Sequence, residues 1–566
     1  MFFQKGTYFY LNLIFYQNYT FMKTLFTALT LLIFVPILRG QNTLAFNRVY
    51  GIFQAKCISC HSNAQKKGGL DLEGFGTDKS GEVYKNLVNV TPTNITAIAK
   101  GYKRVYAGRA DRSFIFHKIN NDLDKYYPAL GAGEGDLMPQ SGNVLTKTEK
   151  EIIRQWILYG ANKTFIVPEN RIRAYYDTVG RGLAAFETPP PAPSVSEGFQ
   201  IKMGPFFLEP QGTPGNELQY YQKWELNLAN DVEVNRIDHI ISAYSHHFII
   251  YNFNSPTNAT SIAPGLRLDA NHSNISLVSA VQERTDLKLP ARTAYKWKKD
   301  RVLDLNTHYI NYSANHTYKA EAYINVYTQP NGTAKQEMFA TLVPNNSISI
   351  PNNNQTTTAE SPFFYFGKVY VWGLMGHTHK YGTGYKVFKR LPNGAKGELM
   401  YDASCPNGLP GCASPYYDYQ HIPMRYFQPL TPVDLSLGFV HQATWKNSGD
   451  KTLTFGPTSD DEMMVMIALY TTDTTGLTGT RDIQQLENVR IFPNPMKDKL
   501  HILLPPSVSS VKMTLFDLLG RAVVRKEEDI VGQTAEILRG SLQSGMYILR
   551  IEDQRGYVKT ERILLE

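Results

Sequence analysis

Two histidines separated by one residue, His377 and His379, lie in Trp372–Gly382 (WGLMGHTHKYG). In an extended chain, residues two apart project from the same face, so both imidazoles can aim at one point, as two ligands of one metal ion do. Taken alone, the pair reads equally well as polar residues on the wet face of a strand, since histidine is both a common ligand and an ordinary surface residue. Three other segments supply further ligand types: His246-His247 in AYSHHFIIY, His308 in LNTHYINY and Met463 in SDDEMMVM. Imidazoles with a thioether and no third cysteine suit copper, because methionine favours Cu(I) and histidine tolerates both oxidation states. One site of three histidines and one of two histidines plus a methionine would account for all of these residues. Neighbouring strand residues face opposite ways, so His246 and His247 can share a metal only at a bulge or a strand end.

A second chemistry is written in Cys57-Ile58-Ser59-Cys60-His61. Cys-x-x-Cys-His is the c-type haem attachment pattern: two thiols reach the two vinyl groups, and the adjacent histidine sits under the iron. A redox dithiol or half of a zinc site is the alternative, but no second cysteine pair lies nearby. Met138, in Asp136-Leu137-Met138-Pro139 after a glycine-rich loop, is the expected sixth ligand, and His117 is the alternative. The CxxCH motif, the segment AGRADRSFIFHK (107–118), the Met-Pro loop and the Trp156…Gly160-Ala161 ending together resemble small class I cytochrome c domains of exported bacterial enzymes.

These groups must be positioned by a chain of 566 residues, too long for one core, with 42% hydrophobic, 12% aromatic and 19% charged residues. The net charge of +8 is spread thinly, without basic blocks interleaved with aromatics, so no nucleic-acid partner is expected. Lys23 followed by the apolar run Thr24–Leu38 reads as a secretory signal within residues 1–40, with Met22 the expected start; an N-terminal anchor helix is the alternative. A haem-carrying helical block is expected over 41–166. The proline-rich stretch ETPPPAPS reads as stiff polyproline II within a linker over 167–198. From 199 to 472, short runs rich in Val, Ile, Tyr and Phe alternate with Asn/Gly/Pro clusters, which predicts two β-sandwiches, 199–330 and 331–472. Strands are expected at Phe363–Val371 and from Gly382. Residues 473–483 read as a short linker.

The last block, 484–566, contains FPNP at 492–495, TLFDLLG at 514–520, SGMYILRI at 544–551 and a closing KTERIL. It resembles the C-terminal sorting domain of the type IX secretion system of Bacteroidetes. That resemblance implies a small β-sandwich, export through the periplasm, and secretion or attachment at the outer membrane and cell surface by that machinery. The alternative is a generic sandwich appended for binding.

The middle block resembles the type II, ascorbate-dependent copper monooxygenases, the group of peptidylglycine hydroxylating and dopamine β-monooxygenases. The HH strand, LxxHY, the HTH pair and the DEM strand start, in that order, carry the likeness. It implies two consecutive jelly-roll-like sandwiches with coppers facing across a cleft. His246, His247 and His308 would hold the electron-transfer copper, and His377, His379 and Met463 the copper that binds O2. The reaction implied is C–H hydroxylation of a small-molecule or peptide-like substrate. The cofactors would be two copper ions, one covalent haem c and an external reductant, either ascorbate or a redox partner protein. Peptide-processing members carry an arginine two residues before HTH, where this chain has Met375. Met464 and Met466 are expected in the core, on the opposite face from Met463. Cys405 and Cys412 are expected to close a short loop as a disulfide, since free thiols are rare outside the cell. His239, His272, His316, His421 and His441 have no paired context and are expected at the surface or behind the ligands. The architecture expected is thus mainly β, with a small helical domain in front and a sorting sandwich behind. The alternative to an enzyme is a non-catalytic surface electron conduit or a copper- or glycan-binding protein.

Overall fold

The computed structural model describes residues 43–566 apart from 45, 141–143, 165–166, 243, 414–415, 478–485, 487, 519 and 555–556. The expected signal segment and most of the 473–483 linker lie outside the described residues. Among those described, no helix is long and apolar enough to cross a membrane. The chain is mainly β, with 41% strand and 14% helix.

The N-terminal block is helical. It begins with α1 (Phe46–Lys56) and the single turn α2 (Ile58–His61), which carries the end of the CxxCH motif. The longest of its helices, Lys147–Leu158, starts at Thr146 with a capping box to Glu149, as the Thr/Glu pattern predicts. Phe46, Phe53, Phe116 and Trp156 fill its core. The following stretch is not a free spacer. It carries a helix at Glu169–Tyr176 and a strand at Gly182–Ala184 that pairs with Thr317–Lys319. The carbonyls of Pro190 and Pro191 accept hydrogen bonds from the Gln200 side chain, which ties the proline run to the first sandwich.

The central region is built on one nine-stranded sheet. Its strands in chain order are β1 (Glu217–Glu225), β2 (Ser245–Phe253), β3 (Gly265–Arg267), β4 (Ile275–Val281), β5 (Val302–Ile310), β6 (Phe339–Pro344), β7 (Lys368–His377), β8 (Arg425–Asp434) and β9 (Val465–Thr471). Their spatial order is β8-β7-β9-β6-β4-β2-β5-β1-β3. A seven-stranded sheet packs on the β1–β5 half, where Phe206 stacks on Tyr220 at 4.3 Å. A four-stranded sheet (356–363, 439–446, 382–390, 396–402) serves the other half. Each half of the nine-stranded sheet thus has a second sheet beside it, and strand Thr317–Pro330 of the seven-stranded sheet precedes β6 in the chain. The two halves are not separate bodies in sequence, because β6 pairs with β4 at Ala340 and Leu277 and makes one sheet common to both.

The expected strand at 363–371 is interrupted. Phe364, Tyr365 and Phe366 are exposed, Gly367 has φ +93°, and β7 begins only at Lys368. Glycine adopts this positive φ without strain, so the chain turns there despite the aromatic run. Cys405 and Cys412 form the expected disulfide, with Cα atoms 5.6 Å apart. The C-terminal block has its own core around Leu500, Met513, Leu549 and Ile563.

The helical block is docked firmly on the first sandwich. Arg154, fully buried, pairs with Glu151 and with Asp124, and Lys202 of the sandwich reaches Asp124 at 2.6 Å and Glu321 at 3.1 Å. Gly108 lies so close to Gly265 that a Cβ would fall 2.4 Å from its nitrogen. Arg109 covers the Trp224 ring at 3.7 Å.

Two histidines expected at the surface or behind ligands are core residues instead. His239 bridges the two sheets of the first sandwich, with Nε2 2.9 Å from Ser279 Oγ, and His441 holds Tyr385 Oη at 2.6 Å. Burial pushes both imidazoles down to about 4 from the ordinary 6.5. The unfolded chain therefore takes up protons below pH 6.5 that the folded chain refuses until about pH 4. Stability is full above pH 6.5 and falls as pH drops through this window, by on the order of 3 kcal/mol per histidine. In chelator-treated protein the urea midpoint should fall over this range, and less steeply in His239→Gln. Equal slopes would contradict the assignment.

Candidate metal centre

His247 and His308 face each other directly across β2 and β5. The register then slips: Tyr309 opposes Ser245, and His246 is left as the extra residue of a bulge. This is the condition under which adjacent histidines can turn to one side. The third element arrives from the other sandwich. His377 is the last residue of β7, and His379 follows in the loop before Gly382.

All five imidazoles meet. His246, His247 and His308 form one group and His246, His377 and His379 another, with candidate ligand atoms within 4.8 Å of each other in each group. All five are buried. The two sets do not face each other across a cleft, as the family resemblance implied, because His246 belongs to both. The shared sheet brings the two sandwiches together at this point.

The outer ring nitrogens are already committed. His247 Nε2 donates to Asn306 Oδ1 at 3.0 Å, His308 Nε2 to Glu217 Oε1 at 2.8 Å, and His379 Nδ1 to the Asp461 carbonyl at 3.1 Å. These oxygens can only accept, so each fixes a proton on the outer nitrogen and leaves the inner one with a free lone pair. His308 Nδ1 and His379 Nε2 are correspondingly buried without a partner. The Gln282 amide holds His377 Nδ1 at 3.0 Å. Burial, and then the neighbouring histidines, hold His246, His247 and His377 well below the usual imidazole range; His379 is lowered to about 4. Neutral imidazoles are the form that binds metal.

Met463 is partly buried, and its neighbour ties its backbone to the HTH loop. The buried Glu462 carboxylate accepts from the backbone N–H groups of His379, Tyr381 and Met463 and from Trp445 Nε1. It thereby locks the Met463 segment to the HTH loop. Burial raises Glu462 to about 7 against the pull of these donors. Met464 and Met466 are fully buried, as expected, and Met375 is core. Glu217 makes a second lock: it accepts from His308, from the Ser459 N–H at 2.9 Å and from Ser459 Oγ at 2.5 Å. Burial alone would raise this carboxyl, but His308 and Ser459 hold it at about 2.

Glu217, Gln282 and the Asp461 carbonyl were not evident as site groups from sequence. Asn306 carried a signal, since it lies two residues before His308 and shares its strand face. A Cβ on Gly376 would fall 2.2 Å from the fully buried Tyr385 ring. Gly376→Ala should therefore cost about 1–3 kcal/mol and displace His377. Thermal melting and metal stoichiometry would both register the change, and an unchanged melting point would contradict it.

In the helical block, Cys57 and Cys60 are unpaired and half-buried, and burial pushes the Cys57 thiol up to about 12. His61 Nδ1 is buried without a partner. His117, the alternative sixth ligand, has its Nε2 on the Asp111 carbonyl at 2.8 Å and its ring stacked on Tyr102 at 4.7 Å. Met138 is partly buried against the same core. A cavity of about 470 Å³ lined by Arg236, Lys288, Arg292 and Tyr327 includes none of the cluster histidines.

No curated protein matches the chain. Among solved structures, the crystal structure of the STIV MCP is similar at 10% identity, covering 50% of this chain and 95% of that one, with a TM-score of 0.22. A β-glucuronidase from Ruminococcus gnavus is similar at 10% identity over 38% of this chain and 36% of that one, with a TM-score of 0.12. The β-D-glucuronidase for Dictyoglomus thermophilum is similar at 7% identity over 41% and 44%, with a TM-score of 0.14. The chain spans less than half the length of either glucuronidase, and likenesses this slight carry no functional argument. Residues 490–566 match the secretion system C-terminal sorting domain family, so the chain ends in a type IX sorting domain, which indicates export and secretion or attachment at the cell surface.

Proposed function

We propose that the chain is an exported copper-dependent monooxygenase that hydroxylates a C–H bond with O2 and draws electrons through a c-type haem in its helical block. The observation that carries this reading is the cluster of five buried histidines, three of them held by acceptor oxygens in the tautomer that leaves an inner nitrogen free. His246, His247 and His308 would hold one copper, and His377, His379 and Met463 the other. Bound copper supplies one-electron redox chemistry and activates O2. The chain's own groups keep the imidazoles neutral, oriented and shielded from water. Glu462 fixes the spacing of His379 and Met463, and the half-buried Tyr419, 6.5 Å from the His246 ring, borders the cluster. Met375 is buried and apolar and offers no cation to a substrate carboxylate.

For the haem, Cys57 and Cys60 would form the thioether links and His61 the proximal ligand. The engagement of His117 with Asp111 and Tyr102 favours Met138 as the sixth ligand. A thioether ligand raises the haem potential, which suits an electron carrier. O2, two electrons, two protons and R–H give R–OH and water, so each turnover needs an external reductant acting through the haem.

The test uses the full chain loaded with copper and haem. The haem is reduced chemically under anaerobic conditions, and its absorbance is followed after O2 is added. Reoxidation that depends on copper is expected, and equal reoxidation without copper would remove the donor role. Zinc in place of copper, or haem as the sole cofactor, would favour the non-catalytic conduit.

A further inference from the structure

Five histidines serve two ligand sets because one of them is counted twice. His246 sits at the hub: its ring centroid is 5.6 Å from His247, 5.2 Å from His308, 5.4 Å from His377 and 5.5 Å from His379. It is the one histidine common to both groups of three. It also differs from the other four in its hydrogen bonding. His247, His308, His377 and His379 each commit one nitrogen to Asn306, Glu217, Gln282 or the Asp461 carbonyl. Among the described residues the His246 ring makes no hydrogen bond, although the residue is only 8% exposed. A buried imidazole normally finds a hydrogen-bond partner: His247, His308 and His379 place their N–H on acceptor oxygens, and His377 Nδ1 accepts from the Gln282 amide. Both nitrogens of His246 are left for ligands.

We propose that His246 bridges two metal ions as an imidazolate, one nitrogen to each ion, making the centre a coupled pair rather than two independent sites. A neutral imidazole has one lone pair and one N–H. The first ion takes the lone pair, and the second displaces the N–H proton to solvent and takes the freed pair. The remaining ligands divide without conflict: His247 and His308 complete one side, and His377 and His379 the other. The bulge that ejects His246 from the β2–β5 ladder gives its ring access to both sandwiches. The Glu217 lock joins His308 of one set to Ser459 of the loop behind the other and holds the two sets together.

The inference rests on the copper reading, and the experiment separates the two. The full chain is loaded with copper(II) alone, its copper content is measured, and the paramagnetic signal is quantified by electron paramagnetic resonance. Two ions joined by an imidazolate exchange-couple, so two coppers per chain with most of the low-temperature signal missing is the expected result. Two coppers that are both fully visible would overturn the bridge and leave the copper reading intact. One copper per chain would also overturn the bridge, and no copper would overturn both. In His246→Ala every copper retained should become visible, and a signal still suppressed there would overturn the assignment to His246. The wild-type measurement decides the matter by itself if that variant does not fold.

Discussion

His377→Ala is expected to bind one copper where the wild type binds two, and to lose O2-dependent hydroxylation entirely. His377 is the only member of the second set on a ladder strand, and its ring is held from behind by Gln282. Loss of a residue that merely holds a ligand weakens metal binding about 10–100-fold, and loss of the ligand itself should exceed that. The fold should survive, because the backbone pairing of residue 377 with Val465 does not involve the side chain. Metal analysis, near-wild-type thermal melting and product assay together check this. A variant that keeps both coppers, or stays active with one, would contradict the assignment of His377.

Glu217→Ala is expected to weaken copper binding on both sides of the centre, about 10–100-fold at the His247/His308 side, without removing any ligand. Without the carboxylate, His308 Nε2 and the Ser459 N–H lose their acceptor together. The His308 ring can then turn or change tautomer, and the loop carrying Asp461, Glu462 and Met463 is released from the first sandwich. A structural effect confined to one sandwich would weaken one copper only; the lock predicts that both are weakened in a chelator competition. Glu217→Gln keeps a carbonyl acceptor and should recover much of the affinity. If Glu217→Ala binds copper as tightly as the wild type, the lock has no role in metal binding.

Much of this organisation is local and was legible from the chain alone. The CxxCH pattern sits within one helical turn. The HH, LxxHY and HTH strands are period-two patterns flanked by β-branched and aromatic residues, and β2, β5 and β7 form where those patterns lie. The requirement for a bulge at His246 followed from strand geometry, and the register slip beside Tyr309 meets it. The capping box at Thr146, the Cys405–Cys412 bridge and the sorting block are of the same kind. The failures were of a different sort. A glycine at positive φ broke the aromatic run at 364–367, and two context-free histidines proved to be core residues. Propensity and context say little about a side chain whose neighbours come from another sheet.

By itself the sequence determined which residue types could do chemistry and on which strands they lie, because covalent spacing and strand periodicity act over a few residues. Tertiary structure alone decided that the two histidine sets converge on His246. It also decided that Glu217 holds His308 from 91 positions away and Ser459 from 242. Those contacts depend on strand order and on one sheet running through both sandwiches, and no local pattern encodes the pairing of segments so far apart.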